Sequence, residues 1–148
     1  SAGVPMVITR GDKPNILLKL FAGQKHGTYF VPKTHRLASR KCWIAFSLKP
    51  QGVLKLDDGA ANALLRNGKS LLPSGILEVT KDFGVGAPVE FVDRKNEVLG
   101  IGLVNYSSSE IKKIMGLKSN RIKQVLGHKS YDEIIHRDNL AITAVTDV

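Results

Sequence analysis

Residues 53–76 read VLKLDDGAANALLRNGKSLLPSGI, and the order of elements within them decides the fold. Gly68-Lys69-Ser70 carries the last letters of a phosphate-binding loop, G-x-x-x-x-G-K-[ST], in which a strand leads into the glycines and a helix follows them. Here Ala63 stands where the first glycine should be, and Ala63 to Asn67 read as helix. Asp57 or Asp58 caps that helix, GAANALLRN, and Gly68 terminates it. After it comes Leu71-Leu72-Pro73, an apolar run into a turn. The helix precedes the motif, so no helix N-terminus faces a bound phosphate. The stretch predicts strand, helix, turn and strand, and no nucleotide site.

Short strands flank this helix on both sides. Gly52 to Leu56, Ile76 to Thr80, Pro88 to Val92 and Val98 to Tyr106 are strand candidates. Turn signals separate them at Lys49-Pro50-Gln51-Gly52, Pro73-Ser74-Gly75 and Asp93-Arg94-Lys95-Asn96. Cys42 to Leu48 reads as a further apolar strand, which places Cys42, Trp43 and Phe46 in the core. Strands of this length and spacing predict a small barrel or sandwich. The last third is helical. Ser107 and Glu110 have the spacing of a capping box ahead of SSEIKKIM, which Gly116 closes. Asn120 to Leu126 gives a second short helix before Gly127, and Leu140 to Val145 a final strand.

The N-terminal region has another texture. Val4 to Thr9 reads as a buried strand, Asp12 and Pro14 open the helix NILLKLFA, Gly23 ends it, and Gly27 to Val31 is a second strand. Strand, helix and strand together predict a crossover unit of an α/β sheet. Alone it buries too little to be a domain, and its exposed apolar edge makes a homo-oligomer plausible. Pro32 to Lys41, PKTHRLASRK, is polar and basic and reads as a linker or boundary.

At 148 residues and 43% hydrophobic, the chain can bury one core, or one core and a fragment. No apolar run approaches the ~18 residues that a membrane helix needs. The N-terminal SAGVPMVITRGDK shows no basic start followed by an apolar core, so no signal peptide is expected. The single cysteine excludes an internal disulfide and fits a reducing compartment. The formal charge of +9 is clustered. Lys33, Arg36, Arg40, Lys41 and Lys49 form one basic group, and Lys112, Lys113, Lys118, Arg121, Lys123 and Lys129 another. Such fields attract phosphate, whether as nucleic acid or as a smaller anion.

Two other triplets imitate protein kinases. Asp82-Phe83-Gly84 matches their metal-binding triplet and His136-Arg137-Asp138 the start of their catalytic loop, but the order is reversed. The asparagine expected five residues after Asp138 is Thr143. His26, His35, His128 and His136 lack metal-ligand spacing. Gly84-Val85-Gly86 and Gly100-Ile101-Gly102 lack the third glycine of a dinucleotide fingerprint. The residues assemble no complete catalytic site.

Val53 to Ala60, Asn67 to Ile76, and Phe83 with Gly86 together resemble the PUA domain, a small β-pseudobarrel with helices that recurs in RNA-modifying enzymes. With Arg40-Lys41-Cys42-Trp43-Ile44, Asn105-Tyr106-Ser107-Ser108, Gly116, Leu126-Gly127 and His136-Arg137-Asp138-Asn139, the chain resembles more narrowly the PUA domain that ends the bacterial glutamate 5-kinases. Gly3 to Ile8 and Gly27 to Phe30 look like the last part of the amino-acid kinase domain of that family.

The resemblance implies two regions: residues 1–35, the closing strands and helix of a kinase domain, and 36–148, the PUA domain. The implied fold is mainly β with short helices (α+β), a PUA-like β-pseudobarrel beside a strand-helix-strand remnant of an α/β kinase. In that family the γ-phosphoryl group of ATP passes to the side-chain carboxylate of L-glutamate with magnesium, the first step of proline synthesis, in the cytoplasm. The glutamate site and main nucleotide loops lie upstream, so the resemblance assigns no catalytic, cofactor-binding or metal residue here. ATP and magnesium belong to the parent enzyme, and the expected partner is its own kinase domain. PUA domains elsewhere grip RNA around the first helix and the loop after it. On this chain that surface offers Arg66, Lys69 and Ser70, helped by Arg40 and Lys41, so RNA is the alternative partner.

Overall fold

A computed structural model describes residues 5–31 and 39–144. The chain divides into two compact units, Ser1–Ser39 and Arg40–Val148.

In the first unit, β1 (Met6–Ile8) and β2 (Thr28–Phe30) flank the six-residue helix α1 (Ile16–Phe21). The strands pair antiparallel, Met6 opposite Phe30 and Ile8 opposite Thr28, which corrects the crossover reading. A crossover helix must bury an apolar stripe against its sheet. Helix α1 buries Ile16 alone, and Leu17, Leu18 and Phe21, the last 90% exposed, face outward. Met6, Ile8, Tyr29, Phe30 and Val31 are exposed as well.

Helix α2 (Ser39–Ser47) starts at the last residue of the first unit and otherwise belongs to the second, where the sequence predicts a strand from Cys42 to Leu48. An apolar run of this length, broken only by Ser47, is compatible with either state. Packing decides it. Ile44 is fully buried against Ile101 and Ala141, with Ala45 and Leu48 packed around it. Trp43 is 51% exposed and Phe46 77%, so neither belongs to the core. Cys42 is a half-buried helical thiol. Residues 39–41 of the expected linker are helical, and the rest of it, 32–38, lies outside the described residues.

The remaining strands are β3 (Gly52–Leu56), β4 (Ile76–Thr80), β5 (Pro88–Val92), β6 (Val98–Leu103) and β7 (Leu140–Ile142). They form one mixed sheet in the order β4-β3-β5-β6-β7. β3 runs parallel to β5, and the other neighbours are antiparallel. β3 alternates buried and half-buried positions, the period-2 signature of a strand with one face on the core. β6 stops at Leu103, short of the predicted Tyr106, and the final strand ends at Ile142. Its predicted end, Val145, lies outside the described residues.

Helix α3 (Asp58–Asn67) follows β3 directly. Asp57 Oδ1 accepts from the Ala60 N–H at 2.7 Å, which satisfies one orphan donor of the first turn. Gly68 ends the helix at φ +56, a left-handed conformation that glycine adopts without steric cost. Helix α4 (Ser108–Ile114) carries the complete Ser107–Glu110 capping box. The predicted helix from Asn120 divides into a 3-10 turn (Ser119–Arg121) and α5 (Ile122–Leu126). One core joins sheet and helices through Leu54, Leu64, Phe91, Ile111, Ile114 and Ile134, all buried.

The G-x-G of β6 has a packing explanation. A β-carbon at Gly100 would stand 2.5 Å from Phe91 Cζ and closer still to the Ala141 carbonyl oxygen. At Gly102 it would stand 2.8 Å from Ile135 Cγ2. The glycines let β7 and two core side chains approach the strand. Among the described residues no helix is long and apolar enough to cross a membrane.

Candidate functional site

A cleft of about 710 Å³ opens beside α3. One wall is the start of α3 with Asp57, Ala60 and Ala63, and the floor is the loop Lys69 to Gly75. The opposite wall comes from far along the chain: Glu133, His136 and Arg137. Backbone bonds hold the walls together. Leu71 N–H donates to Ile135 O at 2.9 Å and Ile134 N–H donates to Leu71 O at 2.7 Å. Ser70 Oγ accepts from the Arg137 N–H at 3.0 Å. Asn105 secures the far wall from behind, its N–H donating to Ile134 O and its side-chain amide to Glu133 O.

The cleft mixes signs. Lys69 and Arg137 are exposed at its rim, while Glu133 and Asp57 are half-buried within the lining. His136 Nδ1 accepts from the Asp138 N–H at 3.2 Å and lies 3.6 Å from Asp138 Oδ2. Accepting requires that nitrogen to be unprotonated, whereas an ion pair requires a proton there, so the two contacts exclude each other. This mixture suits hydrogen bonding and the recognition of a localised charge.

The candidate residues separate in space. Lys69 and Ser70 line the cleft; Arg66 sits exposed in the last turn of α3, outside the lining. Arg40 and Lys41 belong to the first turn of α2, also outside it. His136 and Arg137 were legible as a kinase look-alike and as part of the PUA resemblance, not as site residues, and nothing in the sequence joins them to Ser70 across 67 positions. The other kinase look-alike is structural. Phe83 is buried, and Asp82 Oδ1 accepts from Ser108 Oγ and from Lys112 Nζ, the latter at 3.2 Å.

A second polar surface lies on α4, the following 3-10 turn and α5. Lys112 pairs with Asp82 and Lys129 with Asp132. Lys113, Lys118, Arg121 and Lys123 are exposed, and among the described residues none of the four joins an ion pair. Glu110, on the same helix, is held by its cap. The Ser107 hydroxyl and backbone N–H donate to it and keep its carboxyl below the usual range, and His128, 3.1 Å away, acts in the same direction. Among the described residues no three His, Cys, Asp or Glu side chains cluster as a metal site.

Residues 52–126 match the PUA domain family, and the chain belongs to that family. Among curated proteins, those the chain is similar to include glutamate 5-kinases. That of Syntrophus aciditrophicus (strain SB) is 58% identical over 140 residues, which is 95% of this chain and 36% of the relative. That of Caldanaerobacter subterraneus subsp. tengcongensis is 49% identical over 142 residues, 96% of this chain and 38% of the relative. The chain thus spans between 36% and 38% of the length of these two relatives. Among solved structures, a PUA domain from Aeropyrum pernix in a tartrate complex is 21% identical with a TM-score of 0.43, over 58% of this chain and 41% of that one.

Proposed function

We propose that this chain is the non-catalytic C-terminal part of a glutamate 5-kinase, a cytoplasmic enzyme that uses ATP and magnesium to convert L-glutamate to glutamyl 5-phosphate at the start of proline synthesis. In this reading residues 1–35 close the amino-acid kinase domain and 36–148 form a PUA domain with a regulatory or assembly role. The observation that carries it is the identity to glutamate 5-kinases, which runs through 95% of the chain and therefore through both units. The apolar exposure of the first unit supports it: Leu17, Leu18, Phe21 and Tyr29 have the character of a core whose other half is elsewhere in the polypeptide. The test removes residues 40–148 from the full-length enzyme and follows feedback inhibition, magnesium dependence and oligomeric state. At least one should change; if all three stay as they were, the module has no such role.

RNA binding is the second reading. It is favoured by the meeting of Lys69 and Ser70 with Arg137 in the cleft, and by the four cations of the α4–α5 surface. Anisotropy titration with a structured RNA at two salt concentrations checks it. Recognition at the α3 surface predicts that Arg66→Ala and Lys69→Ala weaken binding more than removing cations elsewhere. A merely adhesive field predicts equal losses and weak binding that vanishes with salt, whereas a log–log slope of roughly −0.7 to −0.9 per phosphate contact is common to both cases.

A further inference from the structure

We propose that the outer face of α2, carrying Trp43 and Phe46, is the seat on which the catalytic part of the same polypeptide docks. This inference rests on the reading of the chain as part of a glutamate 5-kinase. Burial of Ile44 against Ile101 and Ala141 fixes how α2 lies on the sheet. Trp43 and Phe46, three residues apart, then share one outward stripe. A monomeric surface seldom leaves two large aromatics so open without use, and tryptophan with arginine is the composition of interface hot spots. Arg40 stands one turn before Trp43. Beside Phe46 the surface is concave, a cavity of about 320 Å³ lined by Leu48, Pro50, Val98 and Ile101. It offers a socket for an apolar side chain of the partner.

Charge and length identify the occupant. Nucleic acid is disfavoured. Arg40 and Lys41 are the only cations of the helix, enough to neutralise about two phosphates, and Glu90 lines the cavity beside Phe46. A protein surface that covers the aromatics can leave the long Arg40 and Lys41 side chains in solvent or meet them with carboxylates. The relatives supply one: the matched segment is 36% of the length of the Syntrophus protein, so most of such a polypeptide lies beyond these residues. α2 is also the first described element after the unit assigned to the kinase domain, and a tethered partner docks with a high effective concentration.

Trp43 is the only tryptophan of the chain, which makes the test local. The full-length enzyme and the 148-residue chain are labelled with 5-fluorotryptophan, and the Trp43 resonance is identified by its loss in Trp43→Phe. Relaxation by a soluble gadolinium chelate then reports its exposure. The proposal predicts a relaxation enhancement several-fold smaller in the full-length enzyme than in the chain alone, and restored exposure when Phe46→Asp is introduced. Equal enhancement in both overturns it, and so does protection of the chain alone that grows with concentration, which would make a second copy the occupant. If the full-length polypeptide fails to phosphorylate glutamate while Trp43 is protected, the kinase reading falls and the docking face stands.

Discussion

Replacing Tyr106 by phenylalanine removes one oxygen and should loosen a whole wall of the cleft. The ring is buried, and its hydroxyl serves Tyr131 twice, donating to the Tyr131 carbonyl at 2.6 Å and accepting from the Tyr131 N–H at 3.0 Å. This double bond of contacts pins the start of the segment that continues into Glu133, His136 and Arg137. Each hydrogen bond contributes about 0.5–1.5 kcal/mol net. Tyr131 is itself exposed, so water replaces part of what is lost. The expected destabilisation is therefore ~1–2 kcal/mol, a fall in Tm of about 4–9 °C for a unit of this size. No cavity forms, because the ring remains. Urea unfolding should show a lower midpoint with an unchanged m value, the mark of altered stability without altered compactness. Hydrogen exchange adds a local readout. The Ile134 amide, bonded to Leu71 O across the cleft, should lose roughly tenfold in protection for each 1.4 kcal/mol. A midpoint and an Ile134 exchange rate both equal to those of the native chain would refute the role given to Tyr106.

Three further outcomes follow from the packing and the caps. Asp57→Ala should cost ~1 kcal/mol through the lost bond to the Ala60 N–H, measurable as a lower denaturation midpoint, with Asp57→Asn largely restoring it. Gly100→Ala should destabilise by ~1–3 kcal/mol, because the new methyl group meets both the Phe91 ring and the β7 backbone; a neutral result would contradict the close approach of β7. Glu110 gives a pH dependence whose sign is fixed. Its folded carboxyl is lowered from 4.5, so its contribution is fully present above that value and is lost as pH falls through the folded value. Unfolding curves of the native chain and Glu110→Gln should therefore differ near neutrality and converge at strongly acid pH; a gap that widens on acidification would reverse the assignment.

The elements that the sequence revealed are those whose causes are local. Asp57 three residues before Ala60, and Gly68 at the end of an apolar periodic run, mark both ends of α3. Ser107 and Glu110 do the same for the start of α4. The failures have nonlocal causes. Cys42 to Leu48 is apolar except for Ser47, and only the contact of Ile44 with Ile101 and Ala141, nearly sixty and a hundred residues away, makes it a helix with Trp43 and Phe46 outside. The direction in which β2 pairs with β1 is likewise a matter of which partner each edge finds. The cleft is half visible for the same reason: Lys69 and Ser70 stand beside a recognisable helix, whereas His136 and Arg137 reach them only through the Leu71–Ile135 bridge. The aromatic face of α2 was hidden by the same misreading that turned the helix into a strand.

The central claim is a division of labour: catalysis in the rest of a glutamate 5-kinase, and a non-catalytic module in these residues. ATP-dependent phosphorylation of glutamate, measured side by side for the full-length polypeptide, for that polypeptide lacking residues 40–148, and for the 148-residue chain, tests it most directly. The account predicts turnover by the first two and none by the third. Turnover by the 148-residue chain alone, or a full-length polypeptide that leaves glutamate untouched, would contradict it.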